Sequence, residues 1–304
     1  MINCFYFIEN LLIFVNILYN TANLKKYLVP ILKWRNLNQM IVYNKEKMEA
    51  LQNISYDDLY IITDFDGTIT KDANSSTWAS IFKNSNVSDE FKQECVKIYE
   101  YYHEYELNNS ISIKEKTKIM EEWYKNNIKT LEKFSITKDI IQNSADTAKY
   151  LQFRDGAKEF LKEMYEKGVP VIIVSAGVGD IIRQALINEN CNYDNIYIYS
   201  NFLKFENNKI VGTKDKMLIH PLNKHKIIIS DDVRAITENK KNILLFGNNL
   251  NDIKIPYNKK NIFKIGFLDE YIEERIKDHK SIYDIVCTKG ASYFDLNNIL
   301  KIEV

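Results

Sequence analysis

The 304-residue chain is poor in the residues that break or staple a backbone: 9 Gly, 4 Pro and 4 Cys. So little Gly and Pro excludes a collagenous or low-complexity chain. Cys4, Cys95, Cys191 and Cys287 are scattered with no CxxC pair, which argues against a disulfide framework and a zinc site and fits a reducing compartment. Net charge is missing as well. The 41 Lys and Arg balance 41 Asp and Glu, and with no basic stripe or recognition motif nothing argues for nucleic acid as a partner. With 45% hydrophobic and 27% charged residues, the composition suits one large globular domain or a core carrying a smaller insert.

A long uninterrupted apolar run is also lacking. Cys4 to Tyr19 is apolar except for Glu9, Asn10 and Asn16, shorter than a membrane-spanning helix needs. It has neither the basic n-region nor the cleavage site of a secretory signal. Residues 1–44 are therefore read as an extension, apolar and then basic through Lys25, Lys26, Lys33 and Arg35. Three readings of it stay open: a helix peripheral to a membrane, a cover or extension of the domain, or translation starting at Met40 or Met48. The expected localisation is cytoplasmic, and oligomeric state is left between a monomer and an unknown assembly.

What is present is a series of apolar runs ending in small or polar residues. Leu59 to Ile62 runs into Thr63-Asp64-Phe65-Asp66-Gly67-Thr68; Val169 to Ser175 ends in Ser175-Ala176-Gly177; Asn242 to Gly247 leads into Asn248 to Asp252. Such runs predict buried strands of a parallel sheet, whose carboxyl ends carry the chemistry of α/β folds. Further strands are expected over Asn195–Ser200, Ile262–Gly266 and Tyr283–Cys287, with a hairpin turning at Asn207-Asn208. Helices are expected over Lys45–Tyr56, Phe91–Tyr105, Lys114–Asn126, Ile136–Lys149, Ala157–Tyr165, Ile181–Asn188 and Glu270–Lys277. The alternation predicts a doubly wound, Rossmann-like α/β sheet, interrupted after the first run by a mostly helical insert. The divisions read from this are 45–70 with 150–304 for the core and 71–149 for the insert.

The strand ends suit a phosphate monoester. A carboxylate can attack phosphorus, and a second one two residues on can give and take the proton. Ser175 with Gly177, Asn248 with Asp252, and Lys224 are expected to converge on Asp64 and Asp66, holding phosphoryl oxygens and an oxygen-loving cation such as Mg²⁺.

DFDGT, a strand ending in serine, a lysine and GNNxxD together resemble the haloacid dehalogenase-like (HAD-like) hydrolases. IITDFDGTIT (61–70), IKEKTKIMEEWY (113–124), VPVIIVSAGVGDII (169–182), IYSNFLKFE (198–206), LIHPLNKH (218–225), ILLFGNNLND (243–252), KIGFLDEYIEE (264–274) and SIYDIV (281–286) are similar to the type III pyrimidine 5'-nucleotidases in particular. The resemblance implies a HAD-like core with a helical cap that hydrolyses nucleoside 5'-monophosphates, CMP and UMP preferred, through an aspartyl-phosphate. It implies Asp64 as nucleophile, Asp66 as general acid and base, and Lys224 bridging nucleophile and phosphate. Ser175, Ala176 and Gly177 would bind the phosphoryl group, and Asp64, Asp66, Asn248 and Asp252 would surround Mg²⁺. Glu106 would read the base, with Trp123 and Tyr124 placed to stack on it. Asn248 stands where the family has an aspartate, which removes one charge from the metal shell and implies weaker metal binding. Two alternatives are a HAD phosphatase for another small phosphomonoester and a weakly active or inactive binding member of the family.

Overall fold

The computed structural model describes residues 40–42, 47, 54–108, 110–255, 261–288 and 290–300. Strands β1 (Met40–Val42), β2 (Leu59–Thr63), β3 (Val171–Val178), β4 (Ile196–Asn201), β7 (Asn242–Gly247), β8 (Asn261–Leu268) and β9 (Ile285–Thr288) form one sheet in the order β1-β9-β8-β7-β2-β3-β4. Every pairing is parallel except β1 with β9. β5 (Leu203–Glu206) and β6 (Lys209–Thr213) make the separate hairpin, and its turn residues Asn207 and Asn208 both take positive φ, as this residue type tolerates.

All of β2 is buried because both faces of the sheet are covered. Alternate residues serve different cores: Leu59, Ile61, Ile173, Leu244 and Phe246 belong to one cluster, Tyr60, Ile62, Ile172, Ile243 and Leu245 to the other. That is the period-two alternation of strands between two helical layers. From β2 the chain builds outward to β3 and β4, then returns to build β7, β8 and β9 on the other side. The carboxyl ends of β2, β3 and β7 therefore flank the reversal point, where α/β sheets open a crevice.

Between β2 and helix α5 (Ala157–Glu166) lie α1 (Thr77–Lys83), α2 (Asp89–Leu107), α3 (Ile113–Lys133) and α4 (Lys138–Ser144). Ser76, Ser88, Ser112 and Thr137 cap them, each side chain accepting a backbone N–H of the first turn. Thr70 and Phe153 form an antiparallel bridge, so the insert leaves and re-enters the core side by side. Among the described residues the remaining α-helices are α6 (Gly179–Asn188), α7 (Asp231–Thr237), α8 (Ile272–Ile282) and α9 (Tyr293–Leu300).

Several expectations are corrected. Met40–Val42, placed in the extension by the sequence, is an edge strand of the sheet. Most of the expected helix over Lys45–Tyr56, most of residues 1–44 and the membrane reading of that segment lie outside the described residues; the described end of that helix is instead Ser55 capping a short 3-10 turn, Tyr56–Asp58, and among the described residues no helix is long and apolar enough to cross a membrane. Helices α1, α7 and α9 went unforeseen because they are short or polar. α8 starts at Ile272 rather than Glu270, which leaves Glu270 and Tyr271 in a loop. Tyr283 caps α8 instead of opening the last strand. The helix expected over Lys114–Asn126 runs as Ile113–Lys133; Ile113 at its start is exposed, and the buried apolar face is Met120, Tyr124, Ile128 and Leu131.

Candidate active site

The first carboxylate sits where β2 ends. Asp64 N–H still donates to Phe246 O of β7 at 3.0 Å, and the chain then folds into a tight loop with Thr68 and Thr70 N–H both donating to Phe65 O. Gly67 takes φ 71°, and a Cβ there would meet the side chain of Asn248. Two constraints, a left-handed backbone and a neighbour in contact, thus demand glycine. Buried Arg154 ties the loop from outside, donating to the carbonyls of Gly67, Thr68 and Lys71.

Three charged groups share the floor. Lys224 Nζ lies 2.8 Å from Asp64 Oδ1 and 2.7 Å from Asp252 Oδ1, all three side chains buried. One ammonium between two carboxylates leaves an excess negative charge. Burial pushes the Asp64 carboxyl up to about 7; Lys224 opposes this and Asp252 adds to it. Asp66 is turned the other way, toward α1. Thr77 donates to it twice, N–H to Oδ1 and Oγ1 to Oδ2, each at 2.8 Å. Burial raises Asp66 to about 6 against the pull of these two bonds. An acid near neutrality is what proton transfer to and from an oxygen leaving group requires.

The motif asparagines explain how Lys224 and the serine bend are held. Asn201, at the end of β4, donates to the carbonyls of Ala176, Gly177 and Ile219 and accepts from Ile219 N–H. Asn223 accepts from His220 N–H and donates to Leu218 O, closing the turn that delivers Lys224. Ser175 Oγ accepts from Gly177 N–H at 3.0 Å. A Cβ on Gly177 would collide with Thr77 Oγ1 and Asp66 Oδ2, so only glycine lets β3 pass this close to the acid.

For a cation, the donors are fewer than the sequence reading supposed. Among the described residues no group of three His, Cys, Asp or Glu is arranged to hold a metal. Asp252, expected in the metal shell, has both oxygens committed: Oδ1 to Lys224, Oδ2 to the N–H groups of Asn248 and Asn249. It shapes the loop and holds the lysine. Asp66 also offers its backbone carbonyl instead of its carboxylate. Asn248 Nδ2 donates to that carbonyl at 3.1 Å. Turning the amide over would set two oxygens about 3 Å apart, the edge length of an octahedron with bonds near 2.1 Å. The excess charge at Asp64 and this edge together fit a small divalent cation.

A prediction follows for the cation. The folded carboxyls of Asp64 and Asp66 lie above the ordinary 3.8. The stability each adds is therefore full below that value and lost as pH rises through about 6 and 7. A divalent cation held by Asp64 would compete with the proton on that carboxyl, so the rise in Tm on adding Mg²⁺ should be larger above pH 7 than below pH 6. Asn248→Asp should strengthen Mg²⁺ binding about tenfold or more in calorimetry by restoring a charge to the shell. Equal affinity in the variant would place residue 248 outside it.

Above the floor lies a cavity of about 700 Å³. It brings together Asp64, Asp66, Ser175, Ala176, Gly177, Lys224 and Asn248 with Glu106, Trp123 and Tyr124 of the insert; Asp252 is buried behind Lys224. Glu106 Oε2 is 3.1 Å from His103 Nδ1, and this hydrogen bond raises the imidazole against its partial burial. Trp123 is stacked on Tyr102, and Tyr124 meets Trp78 edge to face. Sequence reasoning missed Thr77, Trp78, Tyr99, His103, Arg154, Glu270 and Tyr271. Glu270 and Tyr271 lie in KIGFLDEYIEE (264–274), a stretch similar to the same family, but the resemblance assigned them no role; the others lie in no motif recognised at a strand end. Only a backbone trace places α1 over Asp66 or the loop before α8 at the cavity.

A sheet with this reversal point, a DFDGT loop and a lysine shared by two aspartates define a HAD-like phosphohydrolase. Residues 65–302 match the family model of pyrimidine 5'-nucleotidases (UMPH-1), and the chain belongs to that family: it is a 5'-nucleotidase, a hydrolase of phosphomonoesters. It is 30% identical over 268 residues to 7-methylguanosine phosphate-specific 5'-nucleotidase B of Xenopus laevis, covering 84% of this chain and 91% of that one. The Homo sapiens 7-methylguanosine phosphate-specific 5'-nucleotidase is 28% identical over 271 residues, covering 84% and 88%. Among solved structures, cytosolic 5'-nucleotidase IIIB bound to cytidine superposes with a TM-score of 0.75 at 23% identity, covering 86% of this chain and 92% of that one. A substrate-bound phosphoserine phosphatase shares the fold at a TM-score of 0.51 and 22% identity, covering 81% and 98%.

Proposed function

We propose that the protein hydrolyses nucleoside 5'-monophosphates through an aspartyl-phosphate on Asp64, with Mg²⁺ as cofactor and residues 71–149 as the cap over the site. One observation carries this: a buried aspartate paired with Lys224 at 2.8 Å lies in the same cavity as Glu106 and the aromatic residues of the insert. Asp64 attacks phosphorus, the bond to the nucleoside 5'-oxygen breaks, and Asp66 gives that oxygen its proton. Water then attacks phosphorus, returns a proton to Asp66 and frees Asp64 and inorganic phosphate. Lys224 and the hydroxyl and N–H groups of Ser175–Gly177 hold the phosphoryl oxygens. Held by Asp64, the Asp66 carbonyl and Asn248, Mg²⁺ would neutralise charge between two anionic reactants.

The base is the finer question. A pyrimidine is favoured by the family description and by the cytidine bound to the similar solved structure; the Glu106 carboxylate can accept from the amino group of cytosine. 7-Methylguanosine monophosphate is the second reading. It is favoured by the names of the relatives and by two carboxylates, Glu106 and Glu270, beside aromatic faces, a setting for a cationic planar base. The deciding experiment is phosphate release from CMP, UMP, 7-methyl-GMP, GMP, AMP, phosphoserine and a sugar phosphate, with and without Mg²⁺. Release confined to CMP and UMP supports the first reading, and preference for 7-methyl-GMP the second. Preference for phosphoserine or sugar phosphate defeats both.

A further inference from the structure

The loop between β8 and α8 breaks two local rules at one residue. Tyr271 adopts φ 51°, ψ 44°, a left-handed conformation that is an outlier for a bulky side chain. It is also the N-cap of α8, where Ser, Thr, Asp or Asn in an extended conformation would accept a backbone N–H, and its side chain caps nothing. Local sequence rules broken together usually mark a functional constraint. The place fits: Tyr271 is 56% exposed, yet it lines the same cavity as Asp64, and so does Glu270.

The same cavity is lined by Tyr99 and His103 of α2, stacked with ring centroids 4.7 Å apart. Glu270 is close enough to act on both. After burial, Glu106 and then Glu270 push the Tyr99 phenol up, and Glu270 adds to the stronger effect of Glu106 on His103. The loop is anchored to the reaction centre as well. Arg154 Nη2 lies 2.7 Å from Asp269 Oδ2, with its guanidinium 4.0 Å above the Phe267 ring. The same planar group holds the carbonyls of Gly67, Thr68 and Lys71. One rigid fork thus sets the register between the loop that follows Asp64 and the loop that presents Tyr271.

We propose that Glu270 and Tyr271 are specificity residues of the core: with Tyr99 and His103 they form a wall of the base site, and Arg154 with Asp269 positions them. This rests on the nucleotidase reading above. Tyr271 supplies a face for a planar base, and Glu270 supplies an acceptor for N–H donors or positive charge on its edge. A base with an exocyclic amino group or a positive charge, as cytosine and 7-methylguanine have, is favoured over uracil, whose pairing edge offers a single N–H between two carbonyl oxygens.

The test pairs stability with kinetics. Tyr271→Asn puts in a residue that tolerates the left-handed backbone and caps helices, so Tm should rise by about 2 °C or more. In the same variant the KM for the preferred nucleotide should rise at least about fivefold, the loss of one stacking partner. The loss of kcat/KM for p-nitrophenyl phosphate, which has no base, should be several-fold smaller. Tyr271→Phe keeps the ring and should restore KM. Glu270→Gln should lower preference for donor-bearing or cationic bases about tenfold, and Asp269→Asn should raise nucleotide KM more than it lowers kcat. A fall in Tm with equal losses on both substrates would make Tyr271 structural and overturn the inference while the nucleotidase reading stands. A wild-type protein that releases phosphate from no nucleotide would overturn that reading, and this inference with it.

Discussion

Asp64→Asn is expected to lower phosphate release about 10³-fold or more while leaving the metal-free fold at least as stable. The loss follows from chemistry: an amide has no anionic oxygen to attack phosphorus, and removing a nucleophile from a set that acts as a unit removes most of its effect. The stability follows from charge. Lys224 sits between Asp64 and Asp252 at 2.8 and 2.7 Å, one ammonium for two buried carboxylates. Neutralising one carboxylate leaves a balanced pair, and the asparagine keeps an oxygen for Lys224. The rise in Tm on adding Mg²⁺ should be largely lost in the same variant. Phosphate release comparable to wild type would place the nucleophile elsewhere. A large drop in metal-free Tm would mean that Asp64 is chiefly a structural ion-pair partner.

Lys224→Met should show the converse. It leaves Asp64 and Asp252, 6% and 0% exposed, side by side with no cation from the protein. Breaking a buried pair in this way costs about 3–5 kcal/mol, and for a chain of this size Tm should fall by about 6 °C or more. The penalty depends on pH with a definite sign. Burial and Asp252 already hold the Asp64 carboxyl above its ordinary range, and removal of Lys224 takes away the main opposing influence. Stability from a carboxyl raised in the folded state is lost as pH rises. The deficit should therefore be greatest above neutrality and shrink in acid, where the Asp64 carboxyl is protonated. Melting curves of wild type and variant across pH test this; a deficit independent of pH would assign the loss to packing of the lysine stem.

The strand ends were legible because parallel strands buried on both faces leave unbroken apolar runs. Asn242–Gly247 was bounded correctly from sequence, whereas the run Val169–Ser175 begins before the observed strand Val171–Val178 and stops short of its end, where the bend begins. The base end was less legible. Glu106, Trp123 and Tyr124 do line the cavity, but their partners do not announce themselves. Thr77 on a seven-residue helix holds Asp66, and His103 holds Glu106. Arg154 looks in sequence like any polar residue before a DG turn, although five of its hydrogen bonds reach residues from 67 to 291.

The order of apolar runs and polar strand ends, the spacing of Asp64 and Asp66, and the lysine and GNNxxD that follow were determined by the sequence alone. Hydrophobic periodicity and motif spacing are local properties, and they suffice to state the fold class and the chemistry. Which oxygens face one another was decided only in three dimensions. Tertiary packing turned the Asp66 carboxylate toward Thr77 and its carbonyl toward Asn248, and it enclosed Asp252 behind Lys224. It also brought Glu270 and Tyr271 to the cavity that Tyr99 and His103 line from α2. Those outcomes depend on contacts between segments tens to hundreds of residues apart, each fixed by burial and hydrogen bonding that no local pattern encodes.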